Sequence, residues 1–131
     1  MNIPITGYGK KVWAFSAGHI PLETTGREPE FTSHDKIAVL NTSSWDAEIQ
    51  IQIFYDDCDP VKDHNISVKA NRVRKIRIND LIDPLPVPLD KPYGFILRSN
   101  VPVIIQFSRM NTAQKSLATF CSNSFYSSDY E

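Results

Sequence analysis

Ser33, His34 and Asp35 are consecutive, and in letters they are the nucleophile, base and orienting acid of a hydrolase. Adjacency argues against that chemistry. Successive side chains of an extended chain point to opposite faces, whereas a triad needs three groups converging through space. The chain has no G-x-S-x-G elbow, no Walker loop and no H-E-x-x-H pair to support another reaction. His19, His34 and His64 lack metal-ligand spacing, as do Cys58 and Cys121. No enzymatic activity, metal or cofactor is therefore expected, and the chemistry left is recognition. For His34 two roles stand open: a hydrogen-bonding anchor for a loop, or a group facing a ligand at a strand end.

The planar donor forks of arginine suit carboxylates, phosphates and sugar diols. Lys69, Arg72, Arg74, Lys75 and Arg77 place five cations in nine residues. Alternation puts Arg72 and Arg74 on the side of Ile76 and Ile78, the core side, so each must reach a rim or find a carboxylate. Val73, Lys75 and Arg77 take the outer face. Arg109 likewise follows a core-facing row, Val103, Ile105 and Phe107. Arg72 and Arg109 are the pair expected to hold an anionic or hydroxyl-rich ligand. The alternative is an internal salt bridge to Glu28, Asp80 or Asp83. Trp13 reads as core filling or as a stacking platform covered by Gly18-His19-Ile20-Pro21. Trp45, in a turn, reads as an exposed or interface aromatic.

The elements that must position these groups alternate with period two. In Asp46 to Tyr55, Ala47, Ile49, Ile51 and Ile53 face one way and Glu48, Gln50 and Gln52 the other, as in a half-buried strand. Val12 to Ser16, Lys36 to Leu40, Asn65 to Ala70, Val73 to Ile78, Gly94 to Ser99, Pro102 to Arg109 and Leu117 to Cys121 are similar runs. Turn material separates them. The pattern predicts an all-β chain, a single-domain antiparallel β-sandwich of about seven to eight strands. At most a short helical turn is expected, at Thr112 to Ser116. The segment Arg77-Ile78-Asn79-Asp80-Leu81-Ile82-Asp83-Pro84-Leu85-Pro86-Val87-Pro88 should be rigid, extended and non-helical, because each proline fixes its own φ and disfavours helix before it. Its Asn79, Asp80 and Asp83 can accept hydrogen bonds from the turn's own backbone. The sharper expectation is that His34, Arg72, Asn79, Asp80, Asn100 and Arg109, with Trp13 nearby, surround one rim pocket.

The bulk numbers narrow the class. A length of 131 residues suits one domain, 1–131, with a core over about 12–126 and fraying polar tails at 1–10 and 122–131. A net charge of -1 gives no whole-molecule pull toward nucleic acid or membrane. No apolar run reaches the length of a membrane span, and the first residues lack a charged-then-apolar leader, so the cytoplasm is the expected compartment. The two cysteines read as free thiols.

Taken in order, W-A-x-x-x-G-x-I-P (Trp13 to Pro21), E-P-x-F-x-S-H (Glu28 to His34), A-x-R (Ala70 to Arg72), R-x-N-D-L-x-D-P-x-P-x-P (Arg77 to Pro88) and S-N-V-P-x-x-x-Q-x-x-R (Ser99 to Arg109) form a set. With these motifs the chain resembles the sensory rhodopsin transducer family from Val12 to about Tyr126. The resemblance implies a cytoplasmic β-sandwich without enzymatic activity that forms a homotetramer. It implies partners of several kinds: a membrane sensory rhodopsin, DNA, or, for relatives, a small molecule associated with carbohydrate metabolism. It also marks the S-H-[DE] motif, here Ser33-His34-Asp35, as recurrent. Two positions depart from the family's pattern. His19 replaces a tyrosine-type residue, and Phe107 stands where a histidine often follows the glutamine, here Gln106.

Overall fold

The computed structural model describes residues 6–20, 34–82, 84–111, 118–123 and 125–127; at 63, 110–111, 118–123 and 125–127 the description is of the backbone. The described residues form eight strands, all paired antiparallel. They are β1 (Lys10–Gly18), β2 (His34–Asn41), β3 (Ala47–Tyr55), β4 (Val61–Val68), β5 (Arg72–Arg77), β6 (Tyr93–Asn111), β7 (Ala118–Asn123) and β8 (Phe125–Ser127), and a 3-10 turn follows β5 at Ile78–Asp80. No helix among the described residues is long and apolar enough to cross a membrane. The all-β antiparallel expectation holds. The helical turn foreseen at 112–116 lies outside the described residues, as do Ser33, Glu28 and Asp83.

β6 organises the rest. Its first half pairs with β1 and β3, giving the order β4-β3-β6-β1-β8, and its second half pairs with β2 and β7, with β5 beyond β2. The two halves bring aromatic side chains together across the interior. Phe15 stacks on Phe95 at 4.8 Å between ring centroids, and Phe107 closes on Phe15 at 5.4 Å. Around them the alternating isoleucines of β3 and the valines and isoleucines of β2 and β6 are buried, as the period-two pattern requires.

Two runs read as separate strands are thus one 19-residue strand. Asn100-Val101-Pro102 lies inside it as a bend. Against it β1 pairs Lys10 with Val103 but Val12 with Arg98, a register shift that accommodates the bend, and Pro102 sits where a missing N–H costs least. β8 was not foreseen. It pairs Val12, Trp13 and Ala14 with Ser127, Tyr126 and Phe125, in a stretch whose polar composition suggested fraying.

Candidate functional site

Asp35, the second residue of β2, has no exposed surface, and its carboxylate gathers four donors. Arg109 Nε donates to Oδ1 at 2.8 Å, and its Nη2 lies 3.5 Å from Oδ2. The Tyr93 hydroxyl donates to Oδ2 at 2.5 Å, and the His19 backbone N–H at 2.9 Å. Asp35 and Arg109 face each other in the β2–β6 register, so the pairing of the strands alone brings them together. Arg109 also donates to the Ala17 carbonyl, and the Asp35 N–H lies 3.4 Å from Asn79 Oδ1. The Asp35 carboxylate therefore joins β2 to the residue after β1 and to both ends of β6, and its backbone N–H adds the 3-10 turn. A buried charge met by charge-assisted bonds on both oxygens is held as scaffold.

Gly18 makes the geometry of Tyr93 feasible. A Cβ at Gly18 would lie 2.4 Å from the Tyr93 ring, so any larger residue pushes the ring off Asp35. Burial, and then the neighbouring Asp35 charge, raise the Tyr93 hydroxyl far above its ordinary range, so it is a proton donor at every physiological pH.

In front of this cluster lies a cleft of about 660 Å³. Phe15, Phe54, Tyr55, Tyr93, Phe95 and Phe107 line it together with Gly94; Phe54 and Tyr55 are half-buried and the other four aromatics buried. Tyr93 belongs to both features: the hydroxyl is fixed on Asp35 while the residue lines the cleft. At the mouth, Lys91 Nζ sits 4.8 Å from the centroid of the Tyr55 ring and 2.6 Å from Asp57. That contact holds Asp57 below the usual carboxylate range and Lys91 above the usual lysine range. The Tyr55 hydroxyl is pushed up, chiefly by burial.

The seven residues expected around one pocket divide between the two ends of the fold. His34 (buried), Asn79 and Arg109 come together at the Asp35 end. Arg72 pairs with Asn41 at the other end of β2, six residues or about 20 Å away. It is exposed and bonds the Asn71 carbonyl. Arg74 shares the parity of Ile76 as expected, yet it too is exposed and donates to the Ser67 carbonyl. β5 is an edge strand running past the margin of the core, which explains why parity alone misplaced both arginines. Asn100 accepts from the Glu48 N–H at 2.7 Å and so fixes the start of β3, again at the far end. Asp80 is exposed, in a groove between β4 and β5. Trp13 is buried, and its indole N–H is shared by the Lys10 and Val103 carbonyls, both at 3.0 Å, so it pins β1 to the bend of β6. Arg109 does form an internal salt bridge, but to Asp35 rather than to the carboxylates considered. Trp45 is exposed, as expected.

The sequence reading missed Tyr93, Gly94 and the aromatic cleft. Pro92-Tyr93-Gly94 follows the proline segment directly, and a glycine inside a strand pattern is itself a sign of close approach or of a site. Of the two departures from the family's pattern, Phe107 lines the cleft, and His19 supplies its backbone to Asp35.

The family described as Anabaena sensory rhodopsin transducer matches residues 8–126. The chain belongs to this family. Among solved structures it is similar to the Anabaena sensory rhodopsin transducer, with 37% identity over 77% of this chain and 95% of that one, at a TM-score of 0.70. It is also similar to the crystal structure of Thermotoga maritima 1070, with 28% identity over 91% of this chain and 96% of the other, at a TM-score of 0.79. No curated protein matches it.

Proposed function

We propose that this transducer-family protein is a non-enzymatic cytoplasmic module that binds a small molecule in the aromatic cleft and passes the bound state on through its β-sandwich. The observation that carries the reading is the cleft itself. Its volume lies within the range of small-molecule sites, about 300–1,000 Å³, and it is walled by rings whose anchor, Tyr93, is locked behind it. Preorganised walls lower the ordering cost of binding. A carbohydrate-related ligand is the class that the resemblance implies. A thermal-shift screen with sugars, sugar acids, nucleotides and aromatic amines tests it, because a ligand of the native state must raise the melting temperature. If no compound class protects the protein, and filling the cleft with Gly94→Val changes nothing, the reading fails.

Self-association into a tetramer is part of the proposal. Val73, Leu40 and Ile104 are exposed and stand side by side across β5, β2 and β6, a row that a second copy would cover. Light scattering on a sizing column decides it, and a monomer at micromolar concentration counts against it.

The second reading is a transducer coupled to a membrane sensory rhodopsin, acting onward on DNA. The name of the family and of the 37% identical structure favours it. Co-purification with such a receptor supports it. A net charge of -1 makes DNA the weaker partner.

A further inference from the structure

We infer that the cleft selects a small organic cation: an ammonium group carried on an aromatic or other flat apolar body. This rests on the reading of the cleft as a ligand site and narrows it to one class. Among the described residues lining the cleft, Asp56 is the one with a formal charge. Asp56 is exposed and forms no ion pair among the described residues. The cations close by are already matched, Lys91 by Asp57 at 2.6 Å and Arg109 by Asp35 at 2.8 Å. An anionic ligand would therefore meet a carboxylate and no uncompensated positive charge. A sugar would find few partners, since Ser16, Tyr55 and Asp56 are the polar side chains lining the cleft besides Tyr93, whose hydroxyl is given to Asp35.

A cation is served on both counts. Aromatic faces attract positive charge through their quadrupole, and the ammonium of Lys91 over Tyr55 already shows one ring of this cleft doing so. The carboxylate of Asp56 adds a direct partner at the rim, and the half-buried Phe54 and Tyr55 offer apolar surface to the rest of the molecule. Gly94 sets the depth. It is the second residue of β6 and lines the cleft, and a Cβ there would lie 2.8 Å from the Phe15 carbonyl oxygen. A larger side chain would crowd β1 and fill the floor.

The test compares phenethylamine, its anionic counterpart phenylacetate, and glucose as probes of the full-length protein, by thermal shift and titration calorimetry. Phenethylamine is expected to raise the melting temperature. Asp56→Asn, a change at an exposed position, is expected to weaken its binding about two- to fivefold, the upper part of the range for an exposed charge pair. Phe54→Ala, which removes one ring of the wall, should weaken it as well. Binding of phenethylamine that is indifferent to Asp56→Asn overturns the inference, as does its failure to bind. Protection by phenylacetate or glucose instead, lost in Phe54→Ala, overturns the cation while leaving the cleft as the ligand site. The two failures are thus told apart.

Discussion

Replacing Arg109 with alanine should strip Asp35 of its one full positive partner while leaving the carboxylate without exposed surface. Tyr93 and the His19 N–H would remain as donors, two dipoles in place of a charge. Removing one member of a buried ion pair costs about 3–5 kcal/mol, and because the Arg109 side chain keeps 16% of its surface in water the lower end, about 3 kcal/mol, applies. For a 131-residue chain the entropy of unfolding is about 0.28 kcal/mol per kelvin, so the melting temperature should fall by about 11 °C. Differential scanning calorimetry at fixed protomer concentration measures this. The partner change Asp35→Ala should be comparably damaging, since it strands the guanidinium and the Tyr93 hydroxyl. The double variant should lose less than the sum by at least about 1.5 kcal/mol, because the two residues share one interaction. If Arg109→Ala melts within about 2 °C of the parent, a change too small for a lost buried pair, or if the two changes are additive, the carboxylate is not the joint described above.

Gly18→Ala should cost about 1–3 kcal/mol through the clash with the Tyr93 ring, and Tyr93→Leu in the same chain should recover part of it, both measured by urea unfolding. Tyr93 also predicts an alkaline limb: its folded-state pKa is raised, so above pH about 10 the unfolded chain loses this proton first and stability falls as pH rises. Tyr93→Phe should flatten that limb in melts between pH 9 and 11, leaving the smaller contributions of Tyr55 and Lys91, which are raised in the same sense. Trp13→Phe should lower stability by about 1–3 kcal/mol, because it takes the shared indole donor from the Lys10 and Val103 carbonyls, while ligand protection is kept. Arg72→Ala should alter the melting free energy by no more than about 0.5 kcal/mol, as an exposed edge residue bonded to the neighbouring carbonyl.

The strands were legible because alternation reports burial directly: β3 appears within one residue of the run that announced it, Asp46 to Tyr55. Parity was legible too, but not position relative to the margin of the core. Arg74 has the face expected of it and still lies in water, since nothing in β5 alone says that this strand is an edge. The site was only half legible, for a related reason. His34, Asn79 and Arg109 lie together because β2, the 3-10 turn and the far half of β6 meet, whereas Arg72 and Asn100 were grouped with them by chemistry alone. Asp35 was in view inside the triplet but was weighed there as a catalytic letter, not as the partner of an arginine 74 residues later. The aromatic cleft left no local signal beyond Gly94, because its walls come from three strands whose adjacency is a fact of topology.

The shared strand also sets an order of events during synthesis. β1, β2 and β3 all hydrogen-bond to β6, which is complete only at Asn111. Before the first half of β6 leaves the ribosome, β3 can close on β4 as a hairpin and β2 can close around it on β5, but β1 has neither of its partners, since β8 comes later still. The nascent chain therefore exposes Trp13, Phe15 and the isoleucine row of β3 for most of its translation. Such a chain belongs to the slow-folding, chaperone-exposed class, where long-range pairings must close before any of them is rewarded. Truncation anywhere before the end of β6 should leave a product with apolar strands and no sheet to accept them.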